Sequence, residues 1–242
     1  MRKTFSVILM AAGLLAGGLR AEGKSGSPGV APEEAWRMLA AGNERFARNL
    51  VLHPHVDAER RRDLVRVEEP WAAVVGCSDS RITPETVFDQ GLGDLFVLRN
   101  SGNIIKTEVE VGSLEYAVEH LGVRLIVVLG HSKCEAVTAA VQGVRKDEHN
   151  SMDELAADLK APVDEARDKV GGLSGEALVD ESIERNVLFE MKQLLKLSPV
   201  IADKVASGKI KVVGGIYRLE NSRVQWLGEH PSEKAVIEGK KP

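Results

Sequence analysis

Trp71-Ala72-Ala73-Val74-Val75-Gly76-Cys77-Ser78-Asp79-Ser80-Arg81 is the stretch whose reading decides the fold. Five apolar residues run into a glycine, and a dense polar cluster follows at once. Pro70 stands before the run and breaks any helix that would enter it. A short, continuous apolar run is a strand buried on both faces, which is a property of parallel sheets. Two further runs have the same character, Leu95–Leu98 and Leu125–Leu129. The second continues through Gly130 into His131-Ser132-Lys133-Cys134. Between them, Val111, Leu114, Ala117, Val118 and Leu121 fall at helical spacing over Glu108–Leu121. A fourth run, Ile210–Ile216, follows a helical region, and Arg223–Leu227 returns across Glu220-Asn221-Ser222 as a hairpin. Strand–helix–strand alternation predicts an α/β fold with a mostly parallel central sheet, flanking helices and right-handed crossovers.

Outward from this centre, Pro32 with Glu33 and Glu34 opens an N-terminal helix carrying Trp36, Leu39 and Phe46. A second short, charged helix is predicted over Asp57–Val65. Met152–Val170 reads as one highly charged helical region, broken by Gly171-Gly172 and Gly175. Val179–Leu197 is an amphipathic helix, and Ser198-Pro199 caps and starts another. Arg2 and Lys3 precede an apolar run from Phe5 to Leu19, with Ala21 as a small residue for cleavage. That is the pattern of a secretory signal, and the run is too short and glycine-rich for a membrane span. The expected organisation is a signal peptide over 1–21, a linker over 22–31 and a single zinc-binding catalytic domain over 32–242. The mature protein is expected to be exported, periplasmic or secreted, with no stable membrane span.

The 242 residues suffice for one well-packed domain, without internal repeats or low-complexity tracts. Hydrophobic residues at 43% and charged residues at 28% are the balance of a folded globule. Lys+Arg 32 against Asp+Glu 36 gives a net charge of −4, which offers a nucleic-acid backbone no attraction. Aromatic residues at 4% provide no stacking platform for bases.

The chemistry concentrates at strand ends, where open α/β sheets bind ligands. Cys77 and Cys134 are both placed just past the carboxyl ends of predicted strands, and His131 lies three residues before Cys134. Two cysteines and a histidine are a zinc set that leaves a fourth position open. An exported chain with two cysteines is equally compatible with a disulfide, and buried cysteines are common in cores. The His-x-x-Cys spacing and the neighbouring Asp79 and Arg81 turn the reading towards metal. Asp79 and Arg81 can form a bidentate pair that fixes both groups, or a solvated loop ion pair worth little. A triad from Ser78 or Ser80 with His131 and Asp79 lacks the strand–turn–helix nucleophile elbow.

Four motifs in order make the pattern specific. Cys77-Ser78-Asp79-Ser80-Arg81, then Phe96-Val97-Leu98-Arg99-Asn100 with Gly102-Asn103, then Glu115-Tyr116-Ala117-Val118, then Gly130-His131-Ser132-x-Cys134 resemble the β-class carbonic anhydrases. The resemblance implies one Zn²⁺ per chain on Cys77, His131 and Cys134, with Asp79 and Arg81 as the catalytic dyad. Phe96 and Tyr116 match positions around the zinc pocket. It implies reversible hydration of carbon dioxide to bicarbonate, and a closed state in which Asp79, freed from Arg81, fills the fourth metal position. It also implies a homodimer or higher homo-oligomer paired through the N-terminal helical arm, with Trp36 and Phe46 packing on a partner.

Three positions depart from the family pattern. Glu68 stands where a glutamine commonly donates to bicarbonate, and a carboxylate cannot donate that bond. Glu135-Ala136 follows the last zinc cysteine in place of Gly-Gly. Val74 replaces the tryptophan of a bicarbonate-inhibited subgroup, so that regulatory site is not expected. The alternatives are a non-catalytic module of this fold with a disulfide or closed zinc, or a related zinc hydrolase for another small cumulated substrate.

Overall fold

A computed structural model describes residues 29–143, 151–169 and 171–239. The segment read as a signal peptide lies outside the described residues. In chain order the elements are α1 (Pro32–Ala47), α2 (Ala58–Asp63), β1 (Ala72–Cys77), α3 (Pro84–Val87), β2 (Leu95–Asn100), a 3₁₀ turn (Ser101–Asn103), α4 (Glu108–His120), β3 (Leu125–His131) and α5 (Glu135–Gln142). They continue with α6 (Ser151–Asp158), α7 (Lys160–Lys169), α8 (Gly175–Leu197), α9 (Pro199–Ala206), β4 (Lys211–Arg218), β5 (Arg223–Glu229) and α10 (Glu233–Ile237).

The strands form one sheet in the order β2-β1-β3-β4-β5. The first four are parallel and β5 returns antiparallel to β4, as the hairpin reading predicts. Every residue of β1 and β3 is buried, which is why both read as unbroken apolar runs. One sheet face carries Ala73, Val75, Cys77, Ile126 and Val128 and packs with residues of α4, α8 and α9. The other carries Ala72, Val74, Leu125, Val127 and Leu129 with Leu39, Val87 and Phe88.

Two glycines set the position of α8. A Cβ at Gly130 would lie 2.6 Å from Val187 Cγ2, and one at Gly214 would lie 2.9 Å from Met191 Sδ and Val187 Cγ1. The helix therefore lies directly on the sheet beside the last residues of β3. Any larger residue at these points would push α8 away from the strand that ends in His131.

Local chemistry accounts for the helix boundaries. The Asp57 carboxylate accepts from Arg60 N at 2.8 Å and starts α2, Thr107 and Glu110 form a capping box on α4, and Ser198 Oγ accepts from Ile201 N at 3.1 Å. The region expected as one helix from Met152 is two, α6 and α7, interrupted at Leu159. Pro162 has no N–H for the Asp158 carbonyl, so the ladder breaks just upstream of it. Gly175, expected as a breaker, is the first residue of α8, with φ +59°. Trp36 and Phe46, expected to pack on a partner, are half-buried and meet aromatic residues of their own chain, which leaves their exposed parts to face a partner. Trp36 meets Trp226 edge-on at 5.6 Å and Phe46 meets Tyr217 at 6.4 Å, because α1 folds back on the sheet face that carries the hairpin. No helix among the described residues is long and apolar enough to cross a membrane.

A buried acid lies on α8. Glu190 is 1% exposed and accepts from Ile105 N at 2.7 Å. Burial raises its carboxyl from 4.5 to about 8, with Asp158 and Glu110 adding to the effect. Above pH 4.5 the unfolded chain releases this proton while the folded chain keeps it, so stability falls as pH rises towards 8. The full loss is on the order of 5 kcal/mol. Glu190→Gln should flatten that slope. Urea titrations from pH 5 to 8 check it, and equal slopes in both proteins would contradict a neutral Glu190.

Candidate metal centre

Two strand ends and one helix start meet at the centre. Cys77 is the last residue of β1, not a residue past it, and pairs in register with Asn100 of β2. His131 likewise ends β3. Lys133 turns the chain with φ +55°, and Cys134 then occupies the N-cap position of α5. The ligand atoms of Cys77, His131 and Cys134 all lie within 4.8 Å of one another. All three residues are buried, and both cysteines are free thiols, so the disulfide reading does not hold.

Hydrogen bonds prepare these groups for a cation. His131 Nδ1 donates to the Ser132 carbonyl at 2.9 Å, which leaves Nε2 as the lone-pair nitrogen. That Nε2 is buried and has no hydrogen-bond partner among the described residues. The Gly102 N–H reaches Cys77 Sγ at 3.4 Å. The Cys134 thiol, then His131 and the Gly102 N–H, pull the Cys77 thiol down to about 4 against its burial. The hydrogen bond with Cys77, then burial and the charge on Cys77, drive the Cys134 thiol upward. The first proton leaves easily and the second is held back, and a divalent cation removes that penalty by drawing both thiolates. An orphaned imidazole nitrogen and two converging sulfurs fit zinc.

The dyad is formed as the spacing predicts. Asp79 Oδ1 accepts from Arg81 Nε and N, each at 2.9 Å, and Oδ2 accepts from Arg81 Nη2 at 2.6 Å. Arg81 Nη2 also donates to the Lys133 carbonyl at 3.1 Å, joining the two loops. The Arg81 hydrogen bond lowers the Asp79 carboxyl to about 2. Asp79 Oδ2 lies 3.9 Å from His131 Nε2, so the carboxylate borders the space the ligands face.

Phe96 is half-buried in β2 and packs on the sheet face that includes Cys77. Tyr116 lies half-exposed on α4 with its ring against His120 at 5.1 Å. Glu68 is exposed in the segment before β1. Glu135 is exposed at the start of α5, and its charge adds to the field that raises the Arg81 guanidinium. Val74 is fully buried in the core face opposite Cys77.

Sequence reasoning missed several supporting groups. Arg99 donates to the Cys77 carbonyl at 2.9 Å and to the Asp79 carbonyl at 2.7 Å, tying strand end to loop. Ser132 Oγ donates to Glu220 at 2.9 Å and accepts from Leu219 N at 2.9 Å, anchoring the His131 loop to the β4–β5 hairpin. Arg99 lies within a quoted motif, and its position one residue before Asn100 was the available signal. Nothing local marked Glu220.

The carbonic anhydrase family model matches residues 72–224, the span from β1 into β5. Carbonic anhydrase 2 of Mycobacterium tuberculosis is 38% identical over 198 residues, covering 81% of this chain and 93% of its own length. A β-carbonic anhydrase of Aspergillus fumigatus shares the fold with a TM-score of 0.66 at 26% identity, over 86% of this chain and 99% of that one. A chain from the work on two tetrameric β-carbonic anhydrases of Sordaria macrospora has a TM-score of 0.65 at 26% identity, over 80% and 96%. With the cysteine–histidine–cysteine group and the Asp79–Arg81 pair in place, the conclusion is that this chain belongs to the β-carbonic anhydrase family.

Proposed function

We propose that this carbonic anhydrase hydrates carbon dioxide reversibly to bicarbonate and a proton, using one Zn²⁺ per chain held by Cys77, His131 and Cys134. The observation that carries this reading is the convergence of those three ligand atoms beside an arginine-locked carboxylate. Zinc supplies, when bound, the Lewis acidity that makes a water nucleophilic near neutral pH. Asp79 Oδ2 accepts a hydrogen bond from the attacking water and aims its lone pair at carbon dioxide. Arg81 keeps Asp79 ionised and holds it off the ligands. Arg99 holds the backbone on which Cys77 and Asp79 stand.

The reaction's pH dependence follows from the charges on the chain. Cys77 and Cys134 bring two negative charges to the centre as thiolates, and Glu135 adds another at its rim. Each disfavours further negative charge, so activity should rise with pH about a midpoint above the ~7 of a three-histidine centre. Val74 fills its place with core, so bicarbonate should act as product and not as a regulator. The test is zinc per chain and turnover on one preparation from pH 6 to 9, with and without bicarbonate. About one zinc and a rising profile are expected. Zinc-free active protein, or a flat profile, would remove the reading, and sigmoidal inhibition by bicarbonate would remove the part about Val74.

The likeness to the tetrameric Sordaria macrospora proteins supports a homo-oligomer. The half-exposed Tyr116 is then available to a second subunit. The basic and apolar N-terminal pattern supports export with cleavage after Ala21. N-terminal sequencing of protein from an extracytoplasmic fraction should begin at Glu22, and recovery of intact Met1 protein only in the cytoplasm would refute export.

A further inference from the structure

Beside Cys77, the 3₁₀ turn Ser101–Asn103 is held by a residue far away in sequence. Gly102 is left-handed, with φ +75° and ψ +16°, and Asn103 follows at φ +48°. This geometry turns the Gly102 N–H to Cys77 Sγ at 3.4 Å. The carbonyl of the same glycine accepts from Asn186 Nδ2 of α8 at 2.8 Å. A Cβ at Gly102 would meet both Leu159 Cδ atoms at 3.3 Å, so the turn sits tightly under the helical layer.

Asn186 is 1% exposed. Its Oδ1 is buried with no partner among the described residues. An apolar residue would avoid that desolvation penalty, so what the position keeps the amide for is its single donor bond to Gly102. We propose that Asn186 is a positioning residue of the metal centre: by fixing the Gly102 carbonyl it delivers the Gly102 N–H to Cys77 and so sets how strongly that thiolate donates to metal. The inference rests on the zinc reading above. Hydrogen bonds to a ligating sulfur withdraw electron density from it, and partners of this kind tune a bound metal.

Cobalt(II) is the probe, because zinc is spectroscopically silent and cobalt reports its thiolate ligands through charge-transfer absorption. Asn186→Leu keeps the branching and heavy-atom count of the side chain and removes the donor. Relative to unsubstituted protein, its thiolate-to-cobalt band should move to longer wavelength because the sulfur regains electron density, and zinc measured by chelator competition should bind about 10-fold more weakly because the turn no longer holds Cys77 in place. Asn186→Ser, too short to reach Gly102, should do the same and serves if the leucine variant does not fold. Ser182→Ala removes another buried polar group of the same helix, whose Oγ, among the described residues, bonds within α8 to the Leu178 carbonyl, and should leave the band in place. A band and affinity unchanged in the Asn186 variants would overturn the proposal, as would an equal shift in Ser182→Ala. Absence of any thiolate–cobalt band in the unsubstituted protein would instead overturn the metal reading.

Discussion

Asp79→Asn retains its zinc and loses carbon dioxide hydration by roughly 10²-fold or more, the range for removing an orienting, proton-handling group. The asparagine amide places N–H₂ where Arg81 now donates, so the bidentate pair breaks. Because the carboxyl is held at about 2, Asp79 is ionised throughout any working range. Its loss should therefore lower turnover across the whole range from pH 6 to 9, and removing its negative charge should move the midpoint down. Arg81→Ala should fall similarly, since Asp79 then loses both the bond at 2.6 Å and the restraint that holds it off the ligands. Steady-state turnover with zinc content on each preparation checks both variants. Near-normal turnover in the pair would reduce the cluster to a loop ion pair.

The larger effect is expected from Cys134→Ala. The substitution leaves one sulfur and one imidazole, and zinc in such sites binds through the deprotonated ligand set as a whole. Dialysed variant protein should carry little zinc and hydrate carbon dioxide only at background. Any rise in melting temperature that zinc gives the unsubstituted chain should vanish, because stabilisation by a ligand requires a folded state that binds it. Fold loss is not expected from the side chain itself, since α5 begins at Glu135 without a side-chain cap bond from Cys134. Metal analysis, turnover and thermal melts with and without zinc read this out. A variant that keeps about one zinc per chain and its activity would exclude Cys134 as a ligand.

Much of this molecule is legible from local sequence. The apolar runs at 71–75, 95–98, 125–129 and 210–216 mark four strands; those of β1, β3 and most of β4 are unbroken because both faces are covered, whereas β2 is a half-buried edge strand. Cys77, His131 and Cys134 at or beside two of their ends predict a shared site, because parallel strands bring their carboxyl ends to one edge. Asp79 and Arg81 are two residues apart, so their pairing needs no information beyond the loop itself. The resemblance in four ordered motifs then names the chemistry that these residues share.

Other features were decided only by the tertiary structure. The run of helical residues from Met152 splits at Leu159, and Trp36 and Phe46 turn inward onto Trp226 and Tyr217 of their own chain. The Gly102–Asn186 and Ser132–Glu220 bonds join groups more than eighty residues apart. Periodicity along a chain reports which face an element buries, but not which element covers it. That choice depends on strand order and on how closely a helix can approach. Here it is set by Gly130 and Gly214, whose missing side chains let α8 lie against the sheet and bring Asn186 to the turn behind Cys77. The cysteine–histidine–cysteine group was readable because each residue sits at the end of its own strand or turn; the groups that support it were not, because their partners come from across the fold.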